Sequence, residues 1–249
     1  MIYTLPWADF FICFTVLFFG YLVFGMVGFG SALIASPVLA FFIPVSHIVP
    51  MLALMDLGAA VINVTRDGRK ADFAELKWMV PLMIGGSLIG AAILLKTHPD
   101  LLAVFLGAFI VLYALYSLFI KKAVRHYPQK YIIPFGIGGG ILSALFGAGG
   151  FVYAIYFAGR IEDKNRFRIT QTTLIGFSTL TRVIIFLIMG IYRNSEIAIT
   201  ALLFLPAMVA GIVLGRHITM RIPKEAFFRF LNMVILLAGL TLLISNLVH

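Results

Sequence analysis

Long apolar stretches joined by short polar loops are the feature that most restricts how this chain can fold. The stretches fall at about 10–28, 29–44, 47–65, 78–95, 101–120, 131–146, 150–159, 169–191, 197–215 and 226–248. Several of them reach the ~20 residues that a helix needs to cross a bilayer. Because 62% of the residues are hydrophobic and only 12% are charged, the chain has more apolar surface than a soluble core can bury. The sequence therefore predicts an all-α polytopic membrane protein.

The basic residues are concentrated in four of the loops. Of 19 lysines and arginines, 16 lie there: Arg66, Arg69, Lys70, Lys77, Lys121, Lys122, Arg125, Lys130, Arg160, Lys164, Arg166, Arg168, Arg216, Arg221, Lys224 and Arg229. Loops rich in lysine and arginine stay in the cytoplasm, so all four loops are predicted to be cytoplasmic and both termini to lie outside. This role explains the net charge of +9 without a nucleic-acid partner.

A glycine-rich segment, GIGGGILSALFGAGGF at 136–151, lies between two of these basic loops. If the loops at 121–130 and 160–168 share one side of the membrane, residues 131–159 must enter the membrane and turn back. The second arm would be about 15 Å long, half of a ~30 Å hydrocarbon core. We therefore predict a re-entrant or broken helical hairpin. The alternative is one kinked helix whose glycines serve close packing.

Matching positions indicate an internal duplication. Pro81, Gly86, Gly90 and Lys96 correspond, at a constant offset of 125, to Pro206, Gly211, Gly215 and Arg221. GMVGF from Gly25 also matches GAGGF from Gly147 at an offset of 122. The first predicted repeat is 1–125, with a hairpin at about 10–44 and helices at about 47–65, 78–95 and 101–120. The second is 126–249, with a hairpin at about 131–159 and helices at about 169–191, 197–215 and 226–248.

The number of crossings in each repeat sets the orientation of the second copy. A hairpin followed by three crossing helices inverts it, and inverted repeats with broken helices are typical of transporters. The GxxxG pairs at Gly86–Gly90 and Gly211–Gly215 permit close helix crossing. They could join the two halves of one chain or two protomers of a homodimer.

Two ionisable residues lie deep inside apolar segments, Asp56 and Arg182. Each costs at least ~2.5 kcal/mol at that depth, so such residues usually face a cavity and have a partner. Arg182 is predicted to bind an anion, and Asp56 to orient it or to carry a coupling proton. The alternative is a structural ion pair. Thr170, Gln171 and Ser178 are candidate substrate ligands on the same stretch, although such groups also bond ordinary helix backbones.

Glycines at the predicted helix breaks complete the candidate site. Helix ends beside Gly28, Gly30, Gly149 and Gly150 could direct backbone N–H groups and positive dipole ends toward an anion. We predict no cofactor. No GxxxxGK[ST] motif is present, so ATP hydrolysis by this chain is not expected, and the histidines have no ligand spacing, so no metal site is expected. Cys13 is the only cysteine, which excludes an intrachain disulfide.

Four segments, in order, resemble those of the TauE/SafE family of sulfite and organosulfonate exporters. They are GMVGFGSALIASPVLA, ADFAELKWMVPLMIGGSLIGAAILL, GIGGGILSALFGAGGFVYAIYFAGR and DKNRFRITQTT. The resemblance covers nearly the whole chain and implies a permease of the bacterial cytoplasmic (inner) membrane for small sulfur-containing anions such as sulfite or sulfoacetate. It also implies roles for Gly138–Gly140, Gly147–Gly150 and Thr170.

The expected function is therefore export of a small anion by alternating access, driven by the membrane potential or a proton gradient, with no enzymatic step. Two alternatives remain at this point. The chain could be a membrane assembly or biogenesis factor that transports nothing, or an intramembrane enzyme. An enzyme would need an acid–base pair or a metal cluster, and Asp56 alone is weak support.

Overall fold

A computed structural model of the chain describes residues 6–27, 29–67, 70–119, 127–193, 195–218 and 240. In chain order its α-helices are α1 (Trp7–Val27), α2 (Ser31–Leu39), α3 (Val45–Asp67), α4 (Phe73–Lys96), α5 (Pro99–Phe119), α6 (Ile132–Phe146), α7 (Gly149–Ala158), α8 (Lys164–Ile188) and α9 (Ser195–Ile218). Short 3₁₀ helices occupy Gln129–Tyr131 and Ile191–Arg193. No residue in these ranges belongs to a strand. The prediction of an all-helical chain is confirmed there.

Helix length separates two kinds of helix in the described ranges. By length and composition, four segments could cross a membrane: Trp7–Met26, Phe73–Lys96, Ile169–Ile188 and Ser195–Gly215. Exposed apolar side chains such as Ile188, Leu202 and Val209 suit contact with lipid. α2 and α7, in contrast, have 9 and 10 residues, about half the length needed to cross a ~30 Å core. The chain is a polytopic membrane protein in which short helices accompany long ones.

Two helices begin earlier than the apolar pattern indicates, because aspartate caps precede their apolar parts. α4 begins at Phe73 rather than near 78, and the Asp72 carboxylate accepts hydrogen bonds from the backbone N–H groups of the first turn. α8 begins at Lys164 rather than near 169, and Asp163 accepts from the backbone N–H of Arg166 at 2.7 Å. Such caps satisfy N–H groups that have no partner inside the helix. The helix predicted at about 226–248 lies outside the described residues, apart from Leu240.

The α6–α7 hairpin turns back at Gly147, which ends α6 with a φ of +68°. This left-handed conformation favours glycine. The backbone N–H of Gly147 donates to the carbonyl of Ser143 at 2.8 Å, and this bond closes the last turn of α6. At the other end, the N–H of Tyr127 donates to the carbonyl of Gly159 at 3.4 Å. The hairpin therefore begins and ends at the same end of the bundle, as the basic loops on either side of it predict.

The α1–α2 hairpin has a similar turn but a longer first helix. α1 has 21 residues, whereas α6 has 15. Gly30 precedes α2 with a φ of +105°, again in the left-handed region that favours glycine. The two hairpins therefore share a glycine turn and a short second helix, and they differ in the length of the first.

Reciprocal packing joins the two halves of the chain. α4 lies along α6, and α9 lies along α1. A Cβ atom on Gly90 would lie 2.6 Å from the carbonyl oxygen of Ile141, and one on Gly211 would lie 2.5 Å from that of Phe18. The GxxxG glycines thus let helices of the first half approach helices of the second half. Of the two roles considered for these glycines, the structure shows the joining of the two halves of one chain. At the centre, α3 packs against α8.

Candidate functional site

The contact between α3 and α8 contains a buried ion pair. Arg182 Nη2 lies 3.4 Å from Asp56 Oδ2, and the two side chains are only 3% and 4% exposed. Thr179, one turn before Arg182 on α8, accepts a second hydrogen bond from Nη2 at 3.2 Å. The two deep charges of the sequence are therefore partners, one from each half of the chain.

The first hairpin holds the carboxylate of this pair. The hydroxyls of Tyr21 on α1 and Ser31 on α2 each donate to Asp56 Oδ1 at 2.9 Å. With Arg182 on its other oxygen, Asp56 receives three hydrogen bonds from three helices. A buried carboxylate needs such donors, because without them its transfer from water costs several kcal/mol.

Arg182 is less completely satisfied than its partner. Its Nε and Nη1 are buried and have no hydrogen-bond partner among the described residues. Arg182 Nη1 also faces the hairpin turn, since a Cβ atom on Gly147 would lie 3.1 Å from it. A buried N–H without a partner costs about 1–3 kcal/mol, more when it belongs to a charged group. The guanidinium therefore has unused capacity to bind an anion.

A small cavity lies beside the guanidinium, between the two hairpins. Its polar lining comes from the side chains of Ser31, Asp56, Ser143, Tyr153, Ser178, Thr179 and Arg182. Phe24, Phe29 and Ile175 supply apolar walls. The free volume is about 10 Å³, close to that of one water-sized sphere. An anion with three oxygen atoms can enter this site only if the surrounding helices move apart.

The structure brings five of the predicted site residues together around this cavity: Gly30, Asp56, Gly150, Ser178 and Arg182. Ser178 is one helical turn from Arg182, so both lie on the same face of α8. Gly149, the first residue of α7, packs against Ser143, and a Cβ atom on it would lie 2.7 Å from the Ser143 Cβ. Gly28 lies outside the described residues.

Thr170 and Gln171 are not among the residues that line the cavity. The Thr170 hydroxyl accepts a hydrogen bond from the backbone N–H of Asp72 at 2.8 Å. The Gln171 amide donates to the carbonyl of Gly150, so it supports the first turn of α7. Because twelve residues of helix separate Thr170 from Arg182, the two lie about 18 Å apart along α8.

Sequence reasoning missed Tyr21 and Tyr153, both fully buried in this region. Tyrosine belongs to the hydrophobic residue types, so a tyrosine within an apolar stretch does not stand out. Tyr21 donates to Asp56, whereas the Tyr153 hydroxyl has no hydrogen-bond partner in the described part of the chain. The constant offset of 122 positions between the halves is the signal that could have found them.

A second charged cluster connects the start of α4 to the end of α7 and the start of α8. Arg160 donates to Glu75 Oε1 from Nη2 at 2.6 Å and from Nε at 2.9 Å, and Tyr156 donates to Oε2 at 3.1 Å. Arg166 pairs with Asp72 at 3.0 Å. The hydrogen bond to Glu75 raises the pKa of Arg160. Because both basic partners belong to a predicted cytoplasmic loop, these bonds close the predicted cytoplasmic end of the bundle.

In the described residues, no group of three or more His, Cys, Asp or Glu side chains could hold a metal ion. The charged centre described above thus consists of one cation, one carboxylate and several hydroxyls. These groups suit an anionic ligand held by hydrogen bonds.

The family model for the sulfite exporter TauE/SafE matches residues 12–242. The chain belongs to the TauE/SafE family. The match includes the α6–α7 hairpin, all but the first five residues of the α1–α2 hairpin, and the Asp56–Arg182 pair, and it confirms the resemblance seen in the sequence. No curated protein and no solved structure matches the chain. As a TauE/SafE protein, the chain is a membrane transporter rather than an enzyme.

Proposed function

We propose that this TauE/SafE protein exports small sulfur-containing anions, such as sulfite or sulfoacetate, across the bacterial inner membrane by alternating access. The observation that carries the proposal is the buried guanidinium of Arg182, two of whose nitrogens have no partner in the described residues. A positive charge in the membrane interior usually serves an ion or substrate pathway. Sulfite and sulfonates offer several oxygen atoms to such donors.

The two short helices support an anion site at the same place. Gly30 immediately precedes α2, Gly150 lies in the first turn of α7, and both glycines line the cavity. The first N–H groups of a helix lack partners within it, and the helix dipole makes that end positive. Two such ends beside Arg182 favour a negative ligand.

The small size of the cavity and the reciprocal packing favour movement of one half against the other. α4 packs on α6 as α9 packs on α1, the relation expected for two copies related by a twofold axis. With inverted repeats at 1–125 and 126–249, rocking of the copies would open the site to either side alternately. Breaking the Arg160–Glu75 contact would accompany opening to the cytoplasm.

Export of a monoanion needs no ATP. An inside-negative potential supplies about 2.3 kcal/mol per charge for each 100 mV. In the proposed cycle, an arriving anion competes with Asp56 for Arg182. If Asp56 takes up a proton on the outside after the anion has left and releases it to the cytoplasm, an inward proton gradient also drives export.

Flux from proteoliposomes tests this proposal. Vesicles containing the wild type and loaded with sulfite, sulfoacetate, sulfate or acetate should lose at least one sulfur anion faster than protein-free vesicles. Arg182→Gln should abolish this flux, because it removes the cation from the site. Arg193→Gln is the matched control, since Arg193 lies outside the cavity lining, and it should leave flux unchanged. Wild-type flux equal to that of protein-free vesicles for every anion would refute the proposal.

A further inference from the structure

The cavity is built from two matching triads, one in each half of the chain. Tyr21, Ser31 and Asp56 are followed, each 122 positions later, by Ser143, Tyr153 and Ser178. This is the offset that relates GMVGF to GAGGF. The members of each triad come from equivalent helices, α1, α2 and α3 in the first half and α6, α7 and α8 in the second. The duplication therefore extends into the polar centre.

The two triads share one equivalent hydrogen bond but differ in charge. In the first, Tyr21 donates to Asp56 at 2.9 Å. In the second, the equivalent residues Ser143 and Ser178 are joined by a hydrogen bond of 2.7 Å. The first triad thus has a carboxylate, Asp56 on α3, where the second has a neutral hydroxyl, Ser178 on α8. Arg182 has no basic counterpart, because Ala60 occupies the position 122 residues earlier.

The second triad retains a free hydrogen-bond donor. Each of its three hydroxyls carries one O–H, and the bond between Ser143 and Ser178 uses one of them. The Tyr153 hydroxyl has no partner among the described residues. The Tyr153 hydroxyl also faces Ser178. At least one O–H donor therefore remains for a ligand, in side chains that are at most 3% exposed. Arg182 Nε and Nη1 are also unpaired there.

We propose that Ser143, Tyr153 and Ser178 form the oxyanion subsite, where the transported anion supplies the negative charge that Asp56 supplies in the first triad. Arg182 then lies between a resident carboxylate and a mobile oxyanion. This inference rests on the proposed function and adds to it the residues that recognise the substrate oxygens.

Single substitutions that remove one hydroxyl test the subsite in the full-length protein. Tyr153→Phe and Ser143→Ala should each raise the sulfite concentration for half-maximal flux roughly tenfold or more, because each removes a hydrogen bond to a charged ligand. The maximal rate should change much less. Ser36→Ala is the matched control. Ser36 is also a buried serine whose hydroxyl has no partner in the described residues, but it does not line the cavity. It should leave the half-maximal concentration unchanged.

A carboxylate placed in the second triad provides an independent test. Ser178→Asp repeats the first triad and should act as a tethered substrate, so sulfite should neither move through the protein nor raise its melting temperature. If wild type transports sulfite and both Tyr153→Phe and Ser143→Ala keep the wild-type half-maximal concentration, the subsite is overturned while the proposed function stands. If wild type transports none of the sulfur anions and gains no thermal stability from them, both fail.

Discussion

Replacing Asp56 by asparagine removes the charge that now neutralises Arg182 and nearly preserves the side-chain shape. The amide oxygen can still accept the two hydrogen bonds from Tyr21 and Ser31, which are both 2.9 Å long. The amide NH₂ would then face Arg182 Nη2 across the 3.4 Å that now separates it from Oδ2. Donor would meet donor, and a buried guanidinium would have no counter-charge. Breaking a buried pair in this way typically costs about 3–5 kcal/mol.

The same change removes the internal competitor of a bound anion. Each ~1.4 kcal/mol of relieved competition strengthens anion binding about tenfold. Asp56→Asn should therefore melt well below wild type in detergent without sulfite, yet gain more thermal stability from added sulfite than wild type does. Its flux should fall, because the anion leaves more slowly. Asp100→Asn, an exposed change at the start of α5, controls for net charge and should match wild type.

Melting curves with and without sulfite provide the measurement. The reasoning is refuted if Asp56→Asn melts at the wild-type temperature without sulfite, since the pair would then contribute nothing. It is also refuted if sulfite stabilises the variant less than the wild type, since Asp56 would then assist anion binding rather than compete with it.

Two further predictions concern packing and the predicted cytoplasmic end. Gly86→Ala should destabilise the protein by about 1–3 kcal/mol, because the added Cβ would overlap the backbone of α6. Gly85→Ala is the control and should be neutral or slightly stabilising, since nothing lies within 4 Å of a Cβ atom there. Equal melting temperatures for the two variants would contradict the packing of α4 on α6. Glu75→Gln should lower stability by roughly 1 kcal/mol, because it weakens the partly exposed ion pair with Arg160. Glu162→Gln is the control and should leave stability unchanged. Thermal melts of both variants check this prediction.

Asp56 and Arg182 could be predicted because a charge within a long apolar stretch is costly and conspicuous. The sequence could not give their distance or the hydroxyls around them, since these depend on how α3 and α8 pack. Thr170 and Ser178 show the same limit. Both are polar residues on one helix, but only Ser178 lies within one turn of Arg182, while Thr170 contacts the cap of α4.

The hairpin could also be predicted, from the basic loops on either side of it and the short second arm. The role of each individual glycine could not be predicted from the sequence. Gly139 makes room for the Tyr153 ring, whereas Gly138, its neighbour, has nothing within 4 Å. Such differences arise from which face of α6 meets another helix, and a run of glycines has no pattern that distinguishes the faces.

The central claim is that the transported anion binds beside Arg182, between the two hairpins. An experimental structure with selenite, a heavier oxyanion of the same shape as sulfite, would test it most directly through the anomalous signal of selenium. The account predicts a selenium peak next to Arg182 Nε or Nη1, within reach of the Ser143 and Tyr153 hydroxyls. A well-occupied peak elsewhere in the membrane region, with none beside Arg182, would contradict it.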